Sequence, residues 1–255
     1  ATLPDTLAWK ALFWIGLAPA ALVFWIRRYV EEPDLHKEHG REVGIGHVFS
    51  ALKPPYLGTT LRVALMVTGA QGSSYAISTF LPTYLKTVRH LTSVGTGSYL
   101  LVLILGAFFG LVSGAFLADW IGRKRTFMVS AIGSIVLMLI YLYAPLSNDM
   151  ILPVGFFLGY INLMMFSPMG AFMTELFPTA VRGVAQGFCY NVGRGIGAVF
   201  PALVGFLAAR YGLGNAIAVF ACCGLALMVV ALLLLPETRG RSLASLEEGA
   251  SRADA

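Results

Sequence analysis

Apolar and polar positions in this chain are sorted into long blocks, not into the short alternations of a soluble fold. Seven blocks reach the roughly 20 mostly apolar residues that a helix needs to cross the hydrocarbon core of a bilayer. They cover 9–28, 61–85, 96–118, 126–145, 150–174, 184–209 and 214–235. None carries the ten-residue alternation of a transmembrane strand, so the pattern predicts an all-α membrane protein with seven transmembrane helices. Most connections are short, but the segment from 29 to 60 runs through EEPDLHKEHGRE. A polar, charge-mixed stretch of that length reads as a flexible or partly helical linker. One block before it and six after it predict four regions: 1–29, the last helix of one bundle; 30–60, an inter-bundle loop; 61–235, a six-helix transmembrane bundle; and 236–255, a tail.

Composition supports the same solvent. The chain is 57% hydrophobic and 12% charged, with a mean hydropathy of +0.76, whereas soluble domains carry about 25% charged residues. A net charge of +5 would suggest nucleic acid in a soluble protein. Here the basic residues flank apolar blocks, so the expected partner is the lipid bilayer, and no nucleic acid is expected. Placing 29–60, 119–125, 175–183 and the tail on one side gathers thirteen of the eighteen Lys and Arg residues there, with Arg27 and Arg28 at its edge. Lys10, Lys86, Arg89 and Arg210 fall on the other side. The positive-inside rule therefore puts loop 30–60 and the C-terminus in the cytoplasm.

Reactive chemistry is sparse. Cys189, Cys222 and Cys223 lie in apolar blocks without a CxxC spacing and read as packed thiols. There is no His/Cys/carboxylate set for a metal, no nucleophile–base pair and no phosphate-binding glycine loop. No catalytic residue, metal or cofactor is expected, and the chain is not expected to be an enzyme.

Three features inside the blocks stand out. Gln71, Ser74, Tyr75 and Ser78 in QGSSYAIS share one helical face, which suits either a water-filled cavity or a neighbouring helix. Gly106, Gly110 and Gly114 form a small-xxx-small stripe that reads as a close-packing face. Asn162 lies near mid-depth of its block among Met164, Met165 and Met169. It could hydrogen-bond a substrate, while the methionines fill space.

The sharpest feature is Arg194, near the middle of VAQGFCYNVGRGIGAVFPALVGFLAA and one turn after Tyr190 and Asn191. A charge at the bilayer centre costs about 2.5–3.5 kcal/mol or more, so it should face the bundle interior with a partner. No Asp or Glu falls inside any block. The partner is then a carboxylate on a substrate, a carboxylate elsewhere in the protein, or a solvent cavity that the charge tunes. A guanidinium matches a carboxylate with two parallel N–H donors.

Charged motifs recur where the blocks end on the basic side: 114-GAFLADWIGRKRT-126, 175-ELFPTAVRG-183 and 236-PETRG-240, with RRYVEEP (27–33) as a loose echo of the last. With these motifs in this order, nearly the whole chain resembles the C-terminal half of a major facilitator superfamily transporter, helices six to twelve of twelve. The stretches 69–86 and 175–198 are similar to the sialate:proton symporter and monocarboxylate (lactate-type) permease branch. The resemblance implies a secondary active transporter, a proton symporter working by alternating access. Its cargo would be a small organic anion such as a carboxylate, carried across a bacterial cytoplasmic (inner) membrane. The implied partners are that anion, protons and the N-terminal helices of the same transporter. Substrate contacts would come from Arg194, Asn191, Tyr190, Gln71, Ser74, Tyr75 and Asn162. Asp119, Gly122, Arg123, Glu175 and Arg182 would form the gating motifs, with Asp119, Arg123, Glu175 and Arg182 joined in one ion-pair network. A sugar or other neutral metabolite is the alternative cargo, and it ranks lower because sugar porters of the same superfamily carry paired glutamines where this chain has Ala70 and Gln71. A membrane-embedded enzyme or a channel is a more distant one.

Overall fold

The computed structural model describes residues 14, 16–29 and 51–240. The start of the first apolar block, the linker charges between 30 and 50 and the tail from 241 onward lie outside these residues. Nine helical segments occur among the described residues. They are α1 (Ala18–Tyr29), α2 (Leu57–Thr87), α3 (Ser93–Ile121), α4 (Arg123–Tyr143), α5 (Asn148–Met164), α6 (Met169–Thr174), α7 (Thr179–Gly197), α8 (Phe200–Tyr211) and α9 (Leu213–Leu233). Backbone contacts divide the chain into Ala1–Gly44 and Ile45–Ala255. In the first unit, α1 exposes Leu22, Val23, Phe24 and Trp25 in succession, the all-round apolar surface of a lipid-embedded helix.

In the second unit the apolar blocks become rods, with their ends shifted by a few residues. The helix expected from 61 starts at Leu57 and runs to Thr87, because flanking Thr, Tyr and Lys residues wind into it. Two blocks are broken where proline removes a backbone donor. Between α5 and α6, around Pro168, hydrogen bonds tighten to i−3 spacing, from Phe166 N–H to Leu163 O and from Met169 N–H to Phe166 O. Between α7 and α8 the ladder breaks at Ala198–Val199, just before Pro201. Counting α5–α6 and α7–α8 as one rod each, the described residues make seven rods: α1, then the six of the bundle.

Local sequence explains the other boundaries. Thr92 caps α3 by accepting the Gly95 N–H at 3.1 Å, and Ser147 caps α5 by accepting the Met150 N–H at 3.3 Å. Two pairs of rods are joined by one glycine each. Gly122 links α3 to α4 at φ 105°, and Gly212 links α8 to α9 at φ 85°. An L side chain rarely adopts that backbone.

The rods pack in two layers around α2, which meets α9, α7 and α8; α3 lies on α5, and α4 bridges α5 and α9. Glycines let backbones touch. A Cβ on Gly106 or Gly110 would clash with the backbone carbonyls of Phe156 and Tyr160, and one on Gly159 with that of Leu103. The Gly106–Gly110–Gly114 stripe is therefore the seam between α3 and α5. Gly69 and Gly224 make the same close approach between α2 and α9.

Burial inverts the soluble rule. In the α3 span, mean hydropathy is 2.5 yet only 17% of its most apolar window is buried, with Phe108, Phe116 and Trp120 facing outward. Among the described residues, five helical stretches are long and apolar enough to cross a membrane: Val94–Ile121, Arg123–Tyr143, Asn148–Thr174, Val181–Tyr211 and Leu213–Leu233. The 31-residue α2 is long enough but too polar for that standard, and half of it is buried against its neighbours. Replacing Gly110 by Leu should destabilise the bundle by about 1–3 kcal/mol or more through overpacking. Gly97→Leu, at an open position on the same helix, should change little. Thermal melting of both variants in detergent checks this.

Candidate substrate cavity and ion-pair cluster

The polar stripe of α2 opens into a cavity of about 640 Å³ walled by α2, α3, α5 and α7. Gln71, Ser74, Tyr75 and Ser78 all line it, as do Asn162 from α5 and Tyr190 from α7. Leu100, Leu103, Ile104 and Leu158 make its apolar wall. Ser74 Oγ donates to Asn162 Oδ1 at 2.8 Å. Asn162 is only 5% exposed, and among the described residues its Nδ2 has no hydrogen-bond partner. The stripe thus serves both readings open from the sequence, since it pairs two helices and lines a cavity. An unpaired buried amide is costly, so Asn162 is a donor in want of an acceptor.

A second cavity, of about 450 Å³, lies toward the start of α7, with Gln186, Gly187 and Asn191 on one side and Met169, Gly170 and Met173 on the other. Phe166 and Tyr190 line both cavities and form their common wall. Sequence reasoning missed Phe166, because nothing in its spacing separates it from packing.

The face expected of Tyr190, Asn191 and Arg194 is only partly brought together. Asn191 is exposed and its Nδ2 donates to Gly187 O of its own helix at 2.8 Å. Arg194 lines neither cavity; it is exposed near the middle of the Val181–Tyr211 span. Among the described residues no ion pair reaches its guanidinium.

At the ends of the rods the motif charges converge. Arg123 makes a two-pronged pair with Glu175, Nε to Oε2 at 3.2 Å and Nη2 to Oε1 at 3.0 Å. Both side chains are 14% exposed. Arg123 Nη1 also meets Asp119 at 2.6 Å, but Asp119 is 72% exposed. Thr238 Oγ1 donates to Glu175 Oε2 at 2.5 Å, extending the cluster to the residues after α9.

Arg182 corrects the expected four-member network. Its Nε donates to the Thr174 and Phe177 carbonyls, each at 3.1 Å, and it is not paired with Glu175. The physical reason is the α6–α7 break, which lies between the two residues and leaves carbonyls that Arg182 turns back to satisfy.

The sequence also left Glu237 and Lys124 without roles. Glu237 accepts the backbone N–H of Arg123 at 3.1 Å and of Lys124 at 3.2 Å, capping α4 from 114 residues away. Lys124 Nζ in turn donates to Leu233 O at 3.3 Å and Leu235 O at 2.8 Å, closing the end of α9. Opposite charges thus sit at the helix ends whose dipoles they complement. Gly122 is required here for space as well, since a Cβ would lie 2.8 Å from Glu237 Oε2.

The six-helix bundle thus holds a mostly apolar cavity with one polar stripe, and a charge cluster at one end. The Major Facilitator Superfamily profile matches residues 1–201, and the chain belongs to that family. It is therefore a multi-pass membrane protein. Over 97% of its length it is 33% identical to a "Probable 4-methylmuconolactone transporter" of Cupriavidus pinatubonensis, covering 58% of that protein. It is 29% identical to the "Cis,cis-muconate transport protein" of Acinetobacter baylyi over 83% of this chain and 53% of that one. It is 27% identical to the sialic acid transporter NanX of Escherichia coli, over 89% of this chain and 56% of that one. The chain thus spans between half and three fifths of the length of these curated relatives, which are named as transporters and not as enzymes.

The burial of the cluster ranks its members. Arg123→Ala, which strands the Glu175 carboxylate, should cost about 3–5 kcal/mol, whereas Asp119→Asn at its exposed position should cost about 1 kcal/mol or less. Thermal unfolding in detergent reads the difference. Equal losses would mean that Asp119 carries as much of the cluster as Glu175.

Proposed function

We propose that this chain forms half of a secondary active transporter that carries a small organic carboxylate by alternating access, as a proton symporter. The observation that carries the reading is Arg194, an exposed cation at mid-depth of a membrane rod, one helical turn from the Tyr190 wall of a cavity that bears the α2 polar stripe. A guanidinium facing lipid at that depth is too costly. Its side of α7 therefore meets a water-filled pathway and the opposing bundle, supplied by N-terminal helices of the same protein. In this reading 1–29 is the last helix of that bundle, 30–60 the cytoplasmic connection, 61–235 the second bundle and 236–255 a cytoplasmic tail in a bacterial inner membrane. Arg194 receives the carboxylate with a planar pair of donors. The free amide of Asn162, together with Ser74, Tyr75, Gln71 and Tyr190, holds the body of the substrate, with Asn191 beside the path. The names of the relatives, which specify a muconolactone, a muconate and a sialic acid, support a carboxylate or related cargo. The Asp119–Arg123–Glu175 cluster, with Gly122 and Arg182, latches the cytoplasmic end while the other end is open. Proton coupling would need a carboxylate in the opposing bundle, since no Asp or Glu lies inside the apolar blocks here.

The test is uptake by the full-length protein in proteoliposomes, with labelled muconate, sialate, lactate, benzoate and glucose. Carboxylate uptake driven by an inward proton gradient is expected. Glucose uptake without carboxylate uptake would overturn the cargo. Arg194→Ala should abolish uptake while the protein still inserts and folds. Arg194→Lys should restore little of it, because an ammonium lacks the two-donor fork. If both variants instead lose folded yield in proportion to uptake, Arg194 is a structural ion-pair partner of the other bundle.

A further inference from the structure

On the lipid-facing side of the same end of the bundle, a groove of about 770 Å³ opens between the ends of α3, α4 and α9. It belongs to neither cavity described above and shares no lining residue with them. Its polar rim is Lys124, Arg125 and Arg239, with Glu237 the single acid. Glu237 is already committed to the backbone N–H groups of Arg123, Lys124, Thr238 and Arg239. Lys124 gives two of its three donors to the α9 carbonyls. Arg125 and Arg239 are exposed, and among the described residues neither guanidinium has a hydrogen bond or ion pair. The groove therefore carries a surplus of positive charge whose donors lack acceptors.

The floor of the groove is apolar. Ile121, Met128, Val129 and Leu233 line it, and Val129 and Leu233 are 46% and 58% exposed. The outward apolar surface continues along both helices through Ile132, Val136 and Val230. Trp120, 74% exposed beside Ile121, sits where an indole anchors at the headgroup level. Cations at the rim, an apolar floor and a continuous path into the acyl region match one ligand: an amphiphile with an anionic head. We propose that this groove binds the phosphate headgroup of an anionic phospholipid, with Arg125 and Arg239 on the phosphate and an acyl chain along Val129 and Leu233. A free phosphate would have no use for the apolar floor. Because Lys124 and Glu237 clamp α4 to α9 beneath the groove, the bound lipid rests on the clasp that joins those helices.

The experiment uses the full-length protein in detergent, with phosphatidylglycerol or phosphatidylcholine added and retained lipid counted by native mass spectrometry. The wild type should retain phosphatidylglycerol in preference to phosphatidylcholine. Arg125→Gln/Arg239→Gln should lower that preference about fivefold per arginine, the effect of one basic residue near an anionic headgroup. Arg125→Gln alone should lower it by one such step, which keeps the test open if the double variant folds poorly. Lys86→Gln/Arg210→Gln, an equal loss of charge at the opposite end, should leave the preference unchanged. An equal drop in that control would reduce the effect to net charge and overturn the site. So would an unchanged preference in both rim variants. If inorganic phosphate raises the melting temperature as much as phosphatidylglycerol does, the groove is a free-phosphate site and the lipid assignment falls.

Discussion

A helix end leaves N–H and C=O groups without intrahelical partners, and satisfying them is the one constraint that organises the charged residues at the ends of this bundle. The rods are joined so tightly that side chains must supply the missing partners. Glu237 closes the start of α4 and Lys124 closes the finish of α9. Arg182 takes the carbonyls left by the α6–α7 break. On the opposite end, Tyr84 donates to Leu142 O at 2.9 Å, closing α4, and Arg89 donates to Leu146 O at 2.9 Å in the turn that follows. These charges serve as caps first. Conformational control, where it exists, is built on caps that the fold already requires.

The second organising demand is that each rod's surroundings match its surface. The α3 rod turns aromatic and aliphatic side chains outward and meets α5 through bare glycine backbone. The α7 rod is the reverse case. Asn191, Arg194 and Gly195 are exposed on it, a surface suited to water or protein and not to acyl chains. The same bundle thus presents one side to lipid and another that lipid would reject.

Much of this was legible in the sequence, and the unread part has physical reasons. Span number and order follow from apolar length alone, and the turn at Gly122 follows from its motif. Gly212, which makes an equivalent turn, carries no motif and went unread. The breaks at 165–168 and 198–199 were hidden because a proline inside an apolar block is compatible with either a kink or a break. The α2 stripe was read correctly as one face, and Asn162 as a polar group at its depth, because helical periodicity fixes which residues share a side. Periodicity does not fix which neighbour that side meets. That is why spacing cannot tell that Arg194 lines neither cavity of this bundle, or that Arg182 turns to the Thr174 and Phe177 carbonyls and away from the Asp119–Arg123–Glu175 cluster. The roles of Glu237 and Thr238 depend on contacts with residues 63 to 114 positions away, beyond any local pattern.

The polarity of α2 has a consequence for how the protein is made. Half of α2 is buried against its neighbours, and its main partner is α9, through Gly69 and Gly224. Those glycines are 155 positions apart in the chain. At about 5–20 residues per second, synthesis leaves α2 without that partner for roughly 8–30 seconds. During that interval its amide and hydroxyl groups must be sheltered by the insertion machinery or by the earlier helices. Completion of the α2–α9 contact therefore comes late, and assembly of this bundle turns on that closing event.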